Sequence, residues 1–200
     1  MGATGKDVWD ETCLVTITPI GGSDIEFAGR TKNIDVNTGT KDMEGMPVNS
    51  GGRAVRQKPE EDSEWNFSDC YFVGIQTTGT DISPAQIFED WSNVDRNDPR
   101  SVSASRNRVK VRVAVLYTDD TTADSAGGAV AGNSAGYRIV CANAYIVEFK
   151  EKWDDGLLKA DFKLKFAPFD LAGNANRKRE DTETTGISAL GSYTTSQNWD

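Results

Sequence analysis

Three aspartates close together in the chain are the nearest approach to a chemical site. Asp119, Asp120 and Asp124 could group carboxylate oxygens around Ca²⁺, a cation that prefers oxygen ligands. Their spacing is not that of a calcium-binding loop, and the set lacks the glutamate that closes such a loop. The surrounding segment is rich in glycine, serine and alanine, which favours a solvated acidic loop. We therefore predict no bound metal here.

Catalytic chemistry has little support elsewhere in the chain. There is no histidine, which removes Ser-His-Asp and Cys-His nucleophiles and the commonest transition-metal ligand. The adjacent carboxylates Glu60-Glu61 and Asp154-Asp155 fall in predicted exposed turns. A catalytic carboxylate pair needs two different environments that move the two pKa values apart, and solvent does not provide them. The three cysteines, Cys13, Cys70 and Cys141, form no CxxC motif and are typical of small buried thiols in a reducing compartment. The sequence predicts no catalytic residue, no cofactor and no enzyme activity.

The balance of charge argues against a protein that holds nucleic acid by its phosphates. Acidic residues number 31 and basic residues 22, which gives a net charge of −9. Basic side chains nevertheless alternate along two predicted strands, without the interleaved aromatic side chains that stack on bases. We interpret these stripes as the wet face of a sheet, paired across strands with acids. The predicted charged face comprises Arg108, Lys110, Arg112, Glu148, Lys150, Asp161, Lys163 and Lys165.

Residues 137–168 carry the strongest structural signal and predict a long antiparallel hairpin. Asp155-Gly156 is typical of a two-residue type I′ turn, in which both central residues have positive φ. The register set by this turn places apolar side chains on one face and opposite charges on the other. The predicted apolar pairs are Phe149 with Phe162, Val147 with Leu164, and Tyr145 with Phe166. The predicted charged pairs are Lys150 with Asp161 and Glu148 with Lys163.

Alternating apolar residues predict further strands with one face toward a core. These strands are residues 12–20, 24–36, 63–75 and 108–118. Their core-facing residues are Cys13, Val15, Ile17, Trp65, Phe67, Tyr71, Val73, Ile75, Val109, Val111, Val113, Val115 and Tyr117. Asp69 interrupts the apolar face of the third strand, which predicts a β-bulge at that residue.

Two segments lack periodicity and are predicted as loops. Residues 37–59 are rich in glycine, asparagine and threonine, yet they contain Met43, Met46 and Val48, which are unusual residues to leave in solvent. This long loop either packs on a neighbouring subunit or folds back on its own domain. Residues 119–136 are small, and they predict a mobile tip between two long strands.

A short helix and a C-terminal tail complete the predicted elements. Ser83 is a good N-cap and Pro84 suits the first helical position, which predicts one short α-helix over about residues 84–92. After Asp170 a charged run predicts a linker, and residues 186–195 predict a weak last strand.

Together these elements predict a mainly β protein. Its fold class is a β-sandwich or barrel of two packed antiparallel sheets, with the helix at its flank and the long loop at about residues 37–59. The predicted division is an N-terminal arm at 1–11, the β domain at 12–170, and a linker, weak strand and tail at 171–200.

The order of elements resembles the major tail tube protein of tailed viruses, either bacteriophages or archaeal tailed viruses. The resemblance rests on the early strands with their long loop, NTGTKDMEGMPVNSGGRAVRQKPEEDSEWNF, on the helix PAQIFEDWS, and on the long hairpin to Pro168. It covers roughly residues 12–168.

The resemblance implies a structural virion protein, made and assembled in the host cytoplasm. In such proteins copies join sheets edge to edge in a hexameric ring, and stacked rings form a tube that conducts the genome. The implied partners are further copies, other tail proteins, and viral DNA that passes without specific binding; no membrane is implied. The charged face is a candidate lining of the channel. The implied inter-subunit contacts are Met43, Met46, Val48 and Arg53 in the long loop and Trp9 in the arm.

Two other classes stay open from the residues alone. A monomeric or trimeric β-sandwich that binds carbohydrate or decorates a virion would present aromatic side chains on a wet face, and Trp153 at the hairpin tip is a candidate. An enzyme on a β scaffold would need a pocket with a perturbed carboxylate pair.

Overall fold

A computed structural model of the chain describes residues 12–22, 25–27, 33–37, 39–40, 42–49, 51–57, 60–71, 76–77, 80–81 and 109–195. In chain order the strands are β1 (Thr12–Pro19), β2 (Ile25–Phe27), β3 (Asn33–Asn37), β4 (Met43–Pro47), β5 (Arg53–Gln57), β6 (Ser63–Tyr71), β7 (Gln76–Thr77), β8 (Thr80–Asp81), β9 (Val111–Thr118), β10 (Gly136–Asp154), β11 (Leu157–Phe166) and β12 (Arg177–Thr182). The mainly β fold class is therefore confirmed. No helix in the described residues is long and apolar enough to cross a membrane. The helix predicted at 84–92 lies outside the described residues, as do Trp9 and Arg108.

Eight of the described strands form two antiparallel sheets that share the long strand β10, and the pairs β4-β5 and β7-β8 each form a separate two-stranded sheet. The strand order is β2-β1-β9-β10-β11-β6-β3, and β12 also pairs with β10. The N-terminal half of β10 lies between β9 and β12, whereas its C-terminal half pairs with β11. We call β2, β1, β9, β12 and the first half of β10 the first sheet. The second half of β10 with β11, β6 and β3 is the second sheet.

A bend at Asn143 lets β10 pass from one sheet to the other. The pairing of β10 with β9 shifts register between Cys141 and Ala144, and Asn143 has a φ of 56°. Asparagine tolerates this left-handed conformation better than most residues. Asn143 is buried and donates two hydrogen bonds. Its side-chain Nδ2 donates to Asn176 Oδ1 at 2.7 Å, and its backbone N donates to Tyr193 Oη at 3.1 Å. The bend is thus fixed by a buried polar network.

The main core lies between the two sheets. It combines valines of β9 with aromatic side chains of β6 and β11. Phe67 stacks on Phe162 with ring centroids 4.5 Å apart, and Trp65 meets Phe166 edge to face at 5.6 Å. Full burial of each such ring stabilises the fold by roughly 2–3 kcal/mol. The aromatic face predicted for 63–75 is confirmed at Trp65 and Phe67.

The predicted hairpin turn and the register beside it are confirmed. Asp155 and Gly156 have φ values of 52° and 73°, as a type I′ turn requires. Three predicted pairs occur: Phe149 with Phe162, Lys150 with Asp161, and Glu148 with Lys163.

Beyond Glu148 the predicted register is wrong. A β-bulge lies between Ile146 and Glu148, so Ile146 pairs with Leu164 and Tyr145 pairs with Lys165. The predicted pairs of Val147 with Leu164 and of Tyr145 with Phe166 therefore do not form. Counted from the turn, one extra residue reverses the side of the sheet that each residue beyond the bulge faces. As a result Ile146 is buried and Val147 is exposed.

The bulge predicted at Asp69 is confirmed. Pairing between β6 and β11 shifts register between Ala160 and Phe162, opposite Asp69, which has a φ of 57°. The backbone N of Asp69 donates to Asp161 Oδ1 at 2.9 Å. The carboxylate of Asp161 on the neighbouring strand thus accepts from a backbone N–H that the bulge excludes from the hydrogen bonds between the strands.

The first sheet has a second buried face, which the sequence analysis did not predict. Residues 119–135, here the covering loop, pack Ala126 and Val130 against Leu14, Leu116 and Val140. The prediction of a mobile tip at 119–136 is therefore wrong. The loop is held by backbone hydrogen bonds and by its own aspartates, and it contributes apolar side chains to a second small core.

The C-terminal residues also belong to this fold. The charged run predicted as a linker forms strand β12, which pairs with β10 from Gly136 to Cys141. Residues 183–195, here the C-terminal strap, make one isolated bridge between Ile187 and Val130 instead of the predicted strand. Gly186 has a φ of 78°, and an added Cβ would lie 2.5 Å from the carbonyl oxygen of Val130, so only glycine fits there.

Candidate interaction surfaces

The segment predicted as an irregular long loop is instead a β-hairpin that projects from the second sheet. Strands β4 and β5 form a separate two-stranded sheet, in which Met43 pairs with Gln57 at one end and Pro47 pairs with Arg53 at the other. A tight turn joins them. In this turn Gly51 N donates to Val48 O, and Val48 N donates to Gly52 O, each at 3.0 Å. We call residues 42–57 the projecting hairpin.

Alternation of side chains gives the projecting hairpin two different faces. One face carries Met43 and Val55, which are 68% and 62% exposed, with Gly45 opposite Val55. The other face carries Met46 beside an ion pair, in which Arg56 Nη2 lies 3.0 Å from Glu44 Oε2. Because exposed apolar side chains on both faces of a two-stranded hairpin do not stabilise it, this surface is typical of a site that packs on a partner.

The base of the projecting hairpin is fixed to the second sheet. Thr40 Oγ1 donates to Glu61 Oε2 at 2.9 Å, and the two strands that flank the hairpin, β3 and β6, pair from Asn37–Glu64 onward. Four of the predicted contact residues, Met43, Met46, Val48 and Arg53, lie on this hairpin or its turn and are exposed. The structure therefore brings these four residues together on one projection.

Part of the predicted charged face is assembled on the second sheet. Lys163 Nζ lies 2.6 Å from Glu64 Oε1, Lys165 Nζ lies 3.6 Å from Asp62 Oδ2, and Lys150 forms an ion pair with Glu148. The hydrogen bond from Lys163 to Glu64 raises the pKa of Lys163, and Lys150 lowers the pKa of Glu148. Each of these cations thus has an acidic partner on its own or a neighbouring strand.

A three-membered ion cluster extends the same face toward the hairpin tip. Lys152 Nζ lies 2.7 Å from Asp69 Oδ1 and 3.0 Å from Asp161 Oδ1, and these two carboxylates raise its pKa. Lys159 is buried and its Nζ lies 2.7 Å from Asp154 Oδ2, which lowers the pKa of that carboxyl group. Acids and bases are therefore interleaved on the described part of this surface.

Arg112, the basic residue of β9, does not belong to that face. Arg112 is buried, its Nη1 donates to the carbonyl oxygen of Gly191 at 2.7 Å, and its guanidinium lies 5.5 Å from the ring centre of Tyr193. The prediction of a wet face at Arg112 is wrong because the C-terminal strap covers this side of the first sheet. Lys110 is half-buried just before β9.

The aspartates considered for Ca²⁺ bind backbone amides. Asp119 Oδ1 accepts from Ala135 N at 2.7 Å, and Asp120 Oδ2 accepts from Ala131 N at 2.8 Å. Asp124 is exposed. Within the described ranges, no group of three or more metal-ligating side chains is close enough to hold an ion.

Two of the three thiols are described, and both lie in the packed interior. Cys141 is buried, as predicted, whereas Cys13 is half-buried. Burial raises the pKa of both thiols, to about 11 for Cys13. A thiol with a raised pKa is a poor nucleophile near neutral pH. Cys141 belongs to the main core and Cys13 packs against it.

A second apolar projection, which the sequence does not predict, lies in the connection between β11 and β12. Phe169 and Leu171 are exposed there, on a turn stabilised by Asp170. The available signal was a pair of large apolar residues inside the turn sequence PFDLAGN. Because the chain changes composition at this point, the sequence instead predicts the start of a linker.

No protein-family profile and no curated protein matches the chain. The fold is nevertheless shared with solved chains of an extracellular contractile injection system, in agreement with the resemblance stated from the order of elements. A chain of the PVC sheath/tube terminator of an extracellular contractile injection system aligns with 89% of this chain and 99% of its own length, with 11% identity and a TM-score of 0.51. A chain of the sheath–tube complex of the same system aligns with 91% of this chain and all of its own, with 8% identity and a TM-score of 0.50. At these identities the similarity shows the fold.

Proposed function

We propose that this protein is a structural subunit that assembles with further copies of itself into a tail tube. The observation that carries the proposal is the projecting hairpin, which exposes Met43, Met46 and Val55 on a chain that has the tube fold. A two-stranded sheet with apolar side chains in solvent lowers its free energy when a partner covers it. A stacked neighbouring subunit supplies such a partner for every copy.

Ring closure in this proposal uses the edges of the sheets. Exposed edge strands offer unpaired backbone groups, and a closed ring pairs them. In the described part of the chain, the strand order ends on β2 at one side and on β3 at the other. We propose edge-to-edge contacts that close a hexameric ring, with rings stacked through the projecting hairpin and the N-terminal arm that contains Trp9.

The charged face is the proposed lining of the channel. Glu148, Lys150, Asp161, Lys163 and Lys165 lie on the second sheet among acidic partners. Interleaved ion pairs hold a polyanion weakly because the phosphates find few free cations to replace their counterions. Such a lining suits passage of the viral genome without specific binding.

Purification of the chain tests self-assembly directly. Size-exclusion chromatography with light scattering, followed by negative-stain electron microscopy, is expected to show rings, stacked rings or tubes whose amount rises with protein concentration. A clean monomer at all concentrations would contradict the proposal, and a monomer with affinity for glycans would favour the carbohydrate-binding alternative.

The similar solved structures favour a second candidate, the tube of a contractile injection system outside a virion. The two candidates differ in what the assembled particle contains. Nuclease-protected DNA in purified particles that contain this chain would support the virion tail, whereas particles free of DNA and of capsid proteins would support the injection system.

A further inference from the structure

The connection between β11 and β12 forms a second projection, which we call the apolar knob (residues 167–176). Leu171 is fully exposed and Phe169 is 48% exposed. Nine large apolar side chains are exposed in the described residues, and six of them lie on the projecting hairpin or the apolar knob. Those six are Met43, Met46, Val48, Val55, Phe169 and Leu171. Exposed apolar surface is therefore concentrated on two projections.

The apolar knob is held in one conformation. The carboxylate of Asp170 accepts hydrogen bonds from the backbone N of Ala172 at 2.9 Å and of Asn174 at 2.8 Å. At its base Asn176 N donates to Pro168 O at 2.9 Å. A solvated connection usually has a polar, variable tip. An ordered tip with two large apolar side chains loses little conformational entropy when it docks.

Both projections leave the same end of the second sheet. Phe166, which precedes the apolar knob, pairs with Ser63, which follows the projecting hairpin. Two ion pairs join the base of the knob to the same stretch, Lys165 with Asp62 at 3.6 Å and Arg177 with Glu60 at 3.2 Å. A partner that covers the projecting hairpin is therefore within reach of the knob.

The opposite end of the second sheet exposes the large aromatic side chain of Trp153. Trp153 is 73% exposed and pairs with Leu158 beside the Asp155-Gly156 turn. Along β11 the distance from Leu158 to Phe166 is about 25 Å at the usual rise per residue. Leu171 and Trp153 are thus on opposite ends of the same sheet.

We propose that the apolar knob and the projecting hairpin form one docking surface for the Trp153 end of a second copy of this chain. A head-to-tail contact joins two different patches of identical molecules, and each copy offers both patches. The proposal rests on the self-assembly proposed above and assigns two further contact residues, Leu171 and Trp153, to it.

A double-mutant cycle on polymerisation tests this contact. The critical concentration for assembly is measured by sedimentation for the wild type, Leu171→Ser, Trp153→Ser and the double variant. Each single variant is expected to raise it about tenfold, the effect of losing one good interface anchor. The double variant is expected to raise it little further, because both changes remove the same contact. Leu171→Met and Trp153→Phe keep apolar side chains and are expected to stay within about twofold of the wild type.

The outcomes separate this proposal from the function on which it rests. Coupling between residues on opposite ends of one molecule arises only through contact between molecules, so a non-additive cycle supports the proposal. An unchanged critical concentration for Leu171→Ser, or effects that multiply fully in the double variant, would overturn it while assembly itself stands. A wild-type chain that stays monomeric would overturn both.

Discussion

Arg138 and Glu180 are cross-strand partners on β10 and β12, and the guanidinium of Arg138 is bound by three separate segments. Its Nε donates to Glu180 Oε2 at 2.8 Å, its Nη1 to Gly128 O at 2.8 Å, and its Nη2 to Ser188 O at 2.6 Å. The side chain is 1% exposed. One arginine thus joins β12, the covering loop and the C-terminal strap.

Replacement of this arginine tests how strongly the covering segments are held. Arg138→Met fills a similar space but removes the donor to Glu180 Oε2 and to two carbonyl groups, while Lys178 still pairs with Glu180 Oε1. We expect a loss of about 3 kcal/mol in the free energy of unfolding. Urea denaturation followed by circular dichroism measures it. The matched control is Arg179→Met on the neighbouring, exposed position of β12, which is expected to change stability by less than about 0.5 kcal/mol. Equal effects of the two variants would contradict this role.

Local signals predicted the local structure of the long hairpin. Asp155-Gly156 needs only its own conformational preference to form the turn, and the register follows from it for the next pairs. The bulge at Val147 and the bend at Asn143 depend on how β10 must curve to serve two sheets. That requirement comes from distant strands, so alternation along β10 alone did not reveal it.

Contacts from distant segments also explain why the wet-face prediction at Arg112 is wrong. Alternation of valine and basic residues at positions 108–113, leading into β9, indicates one apolar face and one wet face. In the structure the second face is covered by residues far away in the chain, among them Tyr193 and Gly191. Their glycine- and serine-rich sequence carries no packing signal that identifies the sheet they cover.

The bulge at Val147 predicts opposite effects of the same substitution at neighbouring positions. Ile146→Asp places a charge in the main core and is expected to abolish cooperative folding, because an unpaired buried charge costs several kcal/mol. Val147→Asp lies on an exposed position and is expected to change stability by about 0.5 kcal/mol or less. Thermal unfolding by circular dichroism measures both. The reverse ranking, which simple alternation implies, would show that the bulge is misplaced.

Asp120 gives the covering loop a dependence on pH. Hydrogen bonds from the Thr122 side chain and then from the Ala131 and Thr122 amides lower the pKa of its carboxyl group. A group whose pKa is lower in the folded state contributes stability above its unfolded pKa, about 3.9 for aspartate, and loses this contribution as the pH falls through the folded pKa.

We therefore expect Asp120→Asn to be less stable than the wild type at neutral pH, with the difference shrinking below about pH 4. Chemical denaturation across this range measures the difference. A gap that stays constant down to the most acidic pH at which the fold persists would show that the charge of Asp120 does not contribute. Asp124→Asn, on an exposed position of the same loop, serves as the control.

The sequence predicts which residues are candidate contacts, but not the β-hairpin that carries them. Met43, Met46 and Val48 in a polar segment indicated a surface that needs a partner, and all three are exposed on the projecting hairpin. The sequence does not predict the hairpin itself, because neither strand has a buried face to impose a period.

The two faces of the projecting hairpin provide a matched pair of variants for the assembly proposal. Val55→Asp places a charge on the face that carries Met43, and desolvating that charge at a contact is expected to raise the critical concentration for assembly at least tenfold. Ala54→Asp introduces the same charge on the opposite face, beside Arg56, and is expected to have a smaller effect. Both positions are exposed, so thermal unfolding of the monomeric fraction should not change. Sedimentation at several protein concentrations measures assembly. If Val55→Asp assembles like the wild type, this face of the hairpin is not the stacking contact; if both variants fail equally, the contact does not distinguish the two faces.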